Sequence, residues 1–266
     1  MTSERLVRDT HTNMVEAFAA LPAHQAAGLL ERNTEILIAF TGSPIDFFNE
    51  VVPVDVPLSA EGLIAAVGTA RGTGLPWVLH IRAGIDDACL PAASHLGLQE
   101  EVPYFYPAMV LTDLPDAELS PNGLDIRAVT DESSFEDHLG AAGGNPAITR
   151  SWLGSGIVQS ADFQLLTGYV DDQPVAHSMA YRTGDVVGVF NVAVRDDVRR
   201  CGYGWAMTRA AIRVGANAGC AMASLQSSEL GFSVYSSHGF QTVFHYRCFR
   251  DGGARPSGGP AVRTGS

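Results

Sequence analysis

The segment from Asn191 to Trp205 combines positive charge with closely spaced glycines at the predicted start of a helix. It contains the pattern Arg199-x-x-Gly202-x-Gly204, with a second arginine next to the first. A helix begins with backbone N–H groups that have no partner within the helix, and this end carries partial positive charge. Glycines there let an anion approach the backbone closely, and the arginines add full charges. The spacing therefore predicts a phosphate or pyrophosphate site.

Two familiar phosphate motifs do not fit this segment. The third glycine of a dinucleotide fingerprint falls at Met207, and a P-loop needs a Gly-Lys pair in a chain that contains no lysine. A second interpretation is that the glycines only tighten a turn between a strand and a helix. Spacing alone leaves this interpretation and the phosphate site open.

The hydrophobic pattern of the second half predicts the elements that would position this segment. Strands are predicted over 163–170, 175–181 and 186–194, and a helix from about Gly204 to Ala218. A strand over 221–226, a helix through Tyr235 and an aromatic strand over 243–249 follow. A strand over 124–129 and helical segments around 132–142 and 147–154 precede them. This order predicts an α/β fold with a mixed sheet.

Composition and charge exclude several classes of protein. Of the 266 residues, 46% are hydrophobic and 17% are charged, which is typical of a folded chain. The 17 basic residues, all arginine, face 29 acidic ones, and the net charge of −12 argues against a nucleic-acid partner. No apolar run has the length of a signal peptide or a membrane span, and the four cysteines lack metal-ligand spacing. We therefore expect a cytoplasmic protein with neither a metal site nor a membrane partner.

Two breaks in the apolar pattern divide the chain. Residues 114–123 contain two prolines and an Asn-Gly pair, and glycine, proline, serine and arginine predominate after residue 250. We predict one domain over 1–120, a second over 121–250 and a disordered tail over 251–266. The charge is uneven: residues 1–121 carry 5 arginines and 16 acids, a net of −11, whereas 122–266 carry 12 and 13.

The two halves share an approximate repeat. Residues 93–106 parallel 236–246, and Phe48-Asn49 parallels Phe190-Asn191. Generic turn chemistry in two α/β domains is one explanation. The shared order of the predicted elements favours the other, that the halves are two copies of one fold.

Two motifs of the second half together resemble the GNAT superfamily of acyl-CoA-dependent N-acetyltransferases. The loop from Arg199 to Gly204 is similar to the pyrophosphate loop of that family, and Tyr235, five residues before Phe240, is similar to its Tyr-x-x-x-Gly-Phe element. The likeness covers about 124–249, and the first half resembles the family only as a degenerate copy. The resemblance implies two GNAT-like acyl-CoA N-acyltransferase domains in tandem, the second of which binds acetyl-CoA.

The resemblance also implies roles for individual residues. Backbone groups of 192–194 would contact pantetheine, the loop would wrap the pyrophosphate, and Tyr235 would act as general acid, unless it is only a core aromatic. A phenol with a pKa of about 10 is protonated at neutral pH and can donate to a departing thiolate. Ser228 would contact pantetheine or cap the next helix. The implied cofactor-binding residues are Val192, Ala193, Val194, Arg199, Arg200, Cys201, Gly202, Tyr203, Gly204, Trp205 and Ser228.

The predicted strand over 186–194 departs from a common family pattern, because it contains no carboxylate where many relatives carry a glutamate. An alkylamine with a pKa of about 10.4 is mostly protonated at pH 7, and its deprotonation costs about 4.6 kcal/mol, against about 1 kcal/mol for an α-amino group. Either the acceptor is weakly basic or a base comes from elsewhere. His177 and His138 are the candidates.

The first half lacks a comparable phosphate loop. After Asn49 the chain reads Val54-Asp-Val-Pro-Leu-Ser59, without arginine, and the pattern Arg71-Gly-Thr-Gly74 follows a helical stretch, where glycines typically end a helix. We do not expect acyl-CoA to bind there.

These observations predict an N-acetyltransferase that moves the acetyl group of acetyl-CoA to an amine of a small molecule or peptide by direct attack. One alternative is a non-catalytic acyl-CoA-binding or scaffold protein. Another is a different CoA reaction on the same fold, such as decarboxylation or transfer of a longer acyl group. We expect a monomer or a homodimer.

Overall fold

The computed structural model describes residues 2–115 and 123–252. Within them, the strands form one continuous mixed sheet. The strands are β1 (Leu29–Arg32), β2 (Ile36–Phe40), β3 (Asn49–Pro53), β4 (Val78–Arg82), β5 (Leu98–Leu111), β6 (Asp125–Ala128), β7 (Phe163–Val170), β8 (Gln173–Thr183), β9 (Val186–Val194), β10 (Met222–Gln226) and β11 (Gln241–Asp251). The helices are α1 (Ser3–Ala20), α2 (Ala60–Gly72), α3 (Leu90–His95), α4 (Glu132–Gly140), α5 (Pro146–Arg150), α6 (Tyr203–Asn217) and α7 (Glu229–Ser237). Most of the predicted tail, and residues 116–122 of the predicted domain boundary, lie outside the described residues.

The strands predicted in the second half are all present, and β7 and β9 have the predicted bounds. The helix predicted over 147–154 is shorter, because α5 ends at Arg150. There the Ser151 hydroxyl donates to the carbonyl of Ile148 (2.7 Å), which competes with continued helical hydrogen bonding. Turns and a short 3₁₀ segment follow α5.

Helix α1 has no counterpart among the predicted elements. Its buried face includes Thr10, His11 and Asn13 beside Met14 and Val15, so polar residues interrupt the apolar period. These polar side chains are used in packing. Asn13, for example, donates to the carbonyl of Tyr181 (3.2 Å). The apolar periodicity of the sequence therefore does not indicate this helix, because polar residues occupy part of its buried face.

The two halves have the same order of elements, β3–α2–β4–α3–β5 in the first and β9–α6–β10–α7–β11 in the second. In each half the two strands that flank the long helix run parallel. This order confirms the predicted α/β fold built from two copies in tandem.

The last strand of each half lies in the part of the sheet formed by the other half. The strand order is β1-β2-β3-β4-β11-β5-β10-β9-β8-β7-β6, so β11 pairs with β4 and β5 pairs with β10. Ion pairs also cross between the halves, for example from Arg247 to Glu100 (2.6 Å) and from Arg250 to Asp46 (2.7 Å). The predicted division at residue 120 therefore separates the repeats along the chain, whereas the sheet is shared.

Helices cover both faces of the sheet. Helices α2, α3 and α6 pack their apolar residues against one face of the sheet. Helices α1 and α4 pack theirs against the other face. Helix α1 crosses the centre and contacts strands of both halves. A Cβ atom added at Gly188 would lie 1.9 Å from Oδ1 of Asn13, so this glycine permits the close approach of α1 to β9. No described helix has the length and apolar character needed to cross a membrane.

Candidate active site

Strands β9 and β10 separate before they end. Their parallel pairing joins Val186–Gly188 to Met222–Ser224, whereas β9 continues to Val194. Asn191 lies in the part of β9 that does not pair with β10 and has φ of +49°, a left-handed conformation that is uncommon for a residue with a side chain. Its counterpart in the repeat, Asn49, is buried and donates to the carbonyls of Ser43 and Pro76. The opening beside β9 exposes backbone groups that a sheet would otherwise pair.

Helix α6 begins next to this opening with no side-chain cap. Its N-cap residue, Gly202, has φ of +79°, which favours glycine, and offers nothing to the first N–H groups of the helix. A Cβ atom at Gly204 would meet only Val194, at 3.8 Å, so the protein itself leaves room there. The Arg199 side chain donates to the Val194 carbonyl (3.3 Å) and pairs with Asp196 (2.6 Å). The start of α6 therefore presents unpaired N–H groups and positive charge to one side.

A cavity of about 830 Å³ lies against these groups, between β9, the start of α6 and α7. We call it the cofactor cavity. Each predicted cofactor-binding residue except Cys201 lines it, and so does Tyr235. The Cys201 thiol is exposed and contacts the carbonyl of Arg199 (3.6 Å). The lining residues to which the sequence assigned no binding role are Val198, Leu230, Gly231, Val234 and His238.

Two aromatic residues that line the cofactor cavity stack on each other. The ring centroids of Trp205 and His238 lie 3.9 Å apart with 30° between the ring planes, which joins the start of α6 to the end of α7. No sequence pattern indicates that His238 contacts Trp205, because the contact depends on how the two helices pack.

Tyr235 is half-buried in the wall of the cofactor cavity and packs edge-on against Phe240, with ring centroids 5.7 Å apart. Burial raises the pKa of its hydroxyl, and a hydrogen bond with Thr208 limits the rise. The phenol is therefore protonated at neutral pH and has the properties of a proton donor. Ser228 caps α7, because its hydroxyl accepts from the N–H of Gly231 (3.3 Å). The residue also lines the cavity, and its contact with pantetheine stays a prediction.

The two histidines considered as general bases lie in the core between α4 and β8. The rings of His138 and His177 stack with centroids 5.0 Å apart, and Nδ1 of His177 donates to the carbonyl of His138 (3.2 Å). Burial lowers the pKa of both imidazoles, that of His138 to about 3. Neither residue lines the cofactor cavity. Their surroundings make them neutral packing groups and poor proton acceptors.

A second cavity, of about 220 Å³, lies on the α1 face of the sheet and is formed by both halves. We call it the central cavity. Asn191 and Gln226 line it, whereas the next residue of β9, Val192, and nearby Ser228 line the cofactor cavity. The two cavities are therefore neighbours at the place where β9 and β10 separate.

The central cavity contains a buried acid–base pair that the sequence did not identify. Nε2 of His80 donates to Oε2 of Glu50 (2.5 Å), and the two residues are only 5% and 4% exposed. Burial raises the pKa of the Glu50 carboxyl, with the charge of His80 limiting the rise. Burial alone would lower the pKa of His80, but the Glu50 carboxylate and Cys248 hold it well above its usual value. The sequence contains one indication of this pair, because Glu50 is a lone carboxylate in the mostly apolar strand β3 and a buried charge needs a partner.

The first half closes the corresponding helix start with its own side chains. The hydroxyl of Ser59 accepts from the N–H of Gly62 (2.9 Å), and Oε2 of Glu35 accepts from the N–H and hydroxyl of Ser59 (3.2 and 2.6 Å). A carboxylate of the chain thus lies where a bound anion would approach α2. Arg71 is also engaged, because it donates to Asp251 (2.8 Å) at the other end of that helix.

Comparisons with known proteins agree with this geometry. Residues 135–228 match a family model described as an acetyltransferase (GNAT) domain. No curated protein sequence matches the chain significantly. A GCN5-related N-acetyltransferase from Kribbella flavida has a similar structure, with a TM-score of 0.68 and 16% identity over 92% of this chain and 96% of that one.

Two further solved structures are similar over nearly the whole chain. A GCN5-related N-acetyltransferase from Sphaerobacter thermophilus has a TM-score of 0.58 and 16% identity, covering 94% of this chain and 93% of that one. A tandem GNAT protein from the clavulanic acid biosynthesis pathway has a TM-score of 0.60 and 10% identity, covering 94% and 95%. Residues 135–228 thus match the GNAT acetyltransferase domain model by sequence, and the two halves together have the fold of a tandem GNAT protein.

Proposed function

We propose that the second half binds acetyl-CoA in the cofactor cavity and transfers its acetyl group to an amine. The observation that carries the proposal is the single cavity that joins three features: the separated end of β9, the uncapped start of α6 and the hydroxyl-bearing side chain of Tyr235. Each feature supplies one requirement of the reaction.

The start of α6 supplies the anion site. The pyrophosphate of acetyl-CoA accepts from the N–H groups of the loop from Arg199 to Gly204, and Arg199 and Arg200 add charge-assisted contacts. The exposed backbone of β9 from Val192 onward pairs with the amides of pantetheine, as a further strand would. The first half has no such site, because Glu35 and Ser59 already occupy the start of α2.

The reaction is a direct transfer. The lone pair of a neutral amine attacks the thioester carbonyl carbon, the C–N bond forms and the C–S bond breaks. The Tyr235 hydroxyl gives its proton to the departing CoA sulfur and recovers one from the nitrogen as the amide forms. A raised pKa suits this role, because the phenol is still protonated when the thiolate leaves.

Calorimetry with acetyl-CoA and thiol-release assays with a panel of amines test the proposal. We expect binding together with turnover on at least one amine. Binding without turnover on any amine would instead indicate a non-catalytic acyl-CoA-binding protein. Mass spectrometry of the ligand that copurifies with the protein would reveal a longer acyl chain or a malonyl group, and thus a different CoA reaction.

A further inference from the structure

We propose that the central cavity is the acceptor site for a small primary amine with one aromatic or bulky apolar substituent, and that Glu50 of the first half removes the proton from this amine. The inference rests on the proposed acetyl transfer and adds the acceptor class and the base. It assigns a catalytic contribution to the half that has no cofactor site.

The position of the central cavity supports this assignment. It neighbours the cofactor cavity at the separated ends of β9 and β10, where a thioester held along β9 meets the α1 face of the sheet. Nε2 of Gln226, in the wall of the central cavity, is a buried donor without a hydrogen-bond partner among the described residues. An unpaired donor at the junction of two cavities is suited to a ligand oxygen.

The lining of the central cavity determines the class of amine. Aromatic rings dominate it, and among the described residues that line it Glu50 is the only carboxylate. One carboxylate neutralises one ammonium group, so a polycation would leave unpaired charge in an apolar space. Aromatic faces attract both an ammonium group and an apolar substituent. The aromatic lining residues are Phe18, Phe47, Phe48, Tyr106, Trp152, Phe163, Phe190 and Tyr246.

The size of the central cavity sets an upper limit on the acceptor. A volume of about 220 Å³ lies below the range of roughly 300–1,000 Å³ that holds drug-sized ligands. A phenylalkylamine is therefore a closer match than a protein side chain presented on a folded surface or an oligosaccharide.

One carboxylate oxygen of Glu50 accepts a hydrogen bond from the protein, and the other is available to a ligand. Oε2 accepts from His80, whereas Oε1 accepts no hydrogen bond from any described residue, although Glu50 lines the cavity. The other charged group near it is Asp46, whose carboxylate is paired with Arg250. From β11, Cys248 faces the far nitrogen of His80 at 3.5 Å.

Tyr246, also on β11, is not available as an alternative base. Its hydroxyl donates to Nδ1 of His11 (2.7 Å), and Nε2 of His11 donates in turn to the carbonyl of Pro53 (2.9 Å). Burial raises the pKa of this hydroxyl well above its usual value. Glu50 is thus the group of the central cavity best placed to receive a proton.

The proton balance of the step is complete without another reactant. The ammonium form of the acceptor gives one N–H proton to Oε1 of Glu50, while His80 holds Oε2. The neutral amine then attacks acetyl-CoA, and the nitrogen loses its second proton to the Tyr235 oxygen, as described above. Glu50 later releases its proton to water, so the products are the N-acetylated amine, CoA thiol and one proton.

Steady-state kinetics of the full chain with 2-phenylethylamine, ethanolamine and spermidine test the substrate class. We expect kcat/KM for 2-phenylethylamine to exceed the other two by at least 10-fold. The variant Ala39→Leu, which places a larger side chain in the cavity wall, should raise the KM for 2-phenylethylamine at least 10-fold and leave the Kd of acetyl-CoA unchanged.

The variant Glu50→Gln tests the base. We expect kcat to fall at least 100-fold and the acid limb of the kcat profile to disappear, because an amide does not accept a proton. The Kd of acetyl-CoA should not change. Glu100→Gln, the same substitution in a half-exposed ion pair of the first half, is the matched control and should leave the kinetics unchanged.

The outcomes separate this inference from the proposed function. Transfer to ethanolamine or spermidine as the preferred acceptor, or unchanged kcat in a folded Glu50→Gln protein, would overturn the inference while acetyl transfer stands. Absence of acetyl-CoA binding by the wild-type chain would overturn the proposed function itself. If Glu50→Gln does not fold, unchanged KM in folded Ala39→Leu still overturns the acceptor assignment.

Discussion

The starts of α6 and α2 occupy equivalent places in two copies of one fold, yet only one of them is open. Before α6 the chain has a glycine cap, two arginines and a cavity, whereas at α2 the Ser59 hydroxyl accepts from the N–H of Gly62 and Glu35 accepts from Ser59. A carboxylate supplied by the protein is chemically similar to the anion it replaces. Under our proposal, one copy of the fold has retained its helix and lost its cofactor site through a few side chains.

The strands that precede these helices differ in the opposite sense. β3 carries Glu50 facing His80 on β4, while β9 carries no carboxylate. Under our proposal the half that lost the cofactor supplies the base, and the half that keeps the cofactor lacks one. The two halves can act together in this way because residues of both line the central cavity.

The uneven charge of the sequence also has a structural explanation in the shared sheet. Two arginines of β11, counted with the second half, pair with acids of the first half: Arg247 with Glu100, and Arg250 with Asp46. The arginines of residues 122–266 are therefore not all available to bind an anionic cofactor. Some of them neutralise acidic residues of the first half across the exchanged strands.

Separating the halves is expected to have the largest effect. Residues 1–115 expressed alone leave β4 without β11, and β5 without either of its partners, so both strands present free edges that associate with other chains. We expect no folded monomer of either half by size-exclusion chromatography with light scattering, and recovery of one compact species on coexpression. A monomeric half that unfolds cooperatively would show that the exchange is not needed for stability.

The next effect concerns the open helix start. Gly202→Glu places a negative charge in the anion site and should weaken acetyl-CoA binding about 100-fold by calorimetry, since repulsion replaces charge-assisted hydrogen bonds. Gly74→Glu is the matched control, because Gly74 has a similar φ of +69° and open surroundings but lies at the end of α2. Equal affinity in both variants would refute the assignment of the anion site to α6.

Tyr235→Phe should lower kcat by roughly 100-fold or more without changing the Kd of acetyl-CoA. The general acid acts in its protonated form, so activity is lost as pH rises through its pKa. Because burial raises that pKa, we expect the alkaline limb of kcat in the wild-type protein to lie above pH about 10. Tyr169→Phe, whose hydroxyl donates to Asp137 (3.0 Å) away from both cavities, should retain full activity.

The smallest expected effect distinguishes the two helix caps. Ser59→Ala should lower the free energy of unfolding by about 1 kcal/mol and leave acetyl-CoA binding unchanged. Ser228→Ala removes the cap of α7 and should cost about the same stability. Because Ser228 also lines the cofactor cavity, only this second variant should weaken the binding of acetyl-CoA. Chemical denaturation and calorimetry of both variants measure the contrast.

The second half could be predicted closely from its sequence because its elements follow simple periods. β7 and β9 have alternating or continuous apolar residues between clear turns, and the loop from Arg199 to Gly204 combines charge and glycine locally. The cofactor cavity is assembled from such local segments, so nearly all of its predicted residues line it.

The central cavity could not be predicted in the same way. Its walls come from strands of both halves and from α1, whose polar buried residues such as Asn13 break the apolar period. The exchange of β5 and β11 depends on competition between equivalent strand edges, which no local pattern records. Glu50 and His80 are separated by 30 positions, and the sequence does not indicate that they face each other.

Calorimetric titration of the full chain with acetyl-CoA tests the asymmetry of the two halves most directly. We expect one molecule of acetyl-CoA to bind per chain, with the affinity reduced by Gly202→Glu and unchanged by Ser59→Ala. A stoichiometry of two, or binding that survives Gly202→Glu at wild-type affinity, would contradict it.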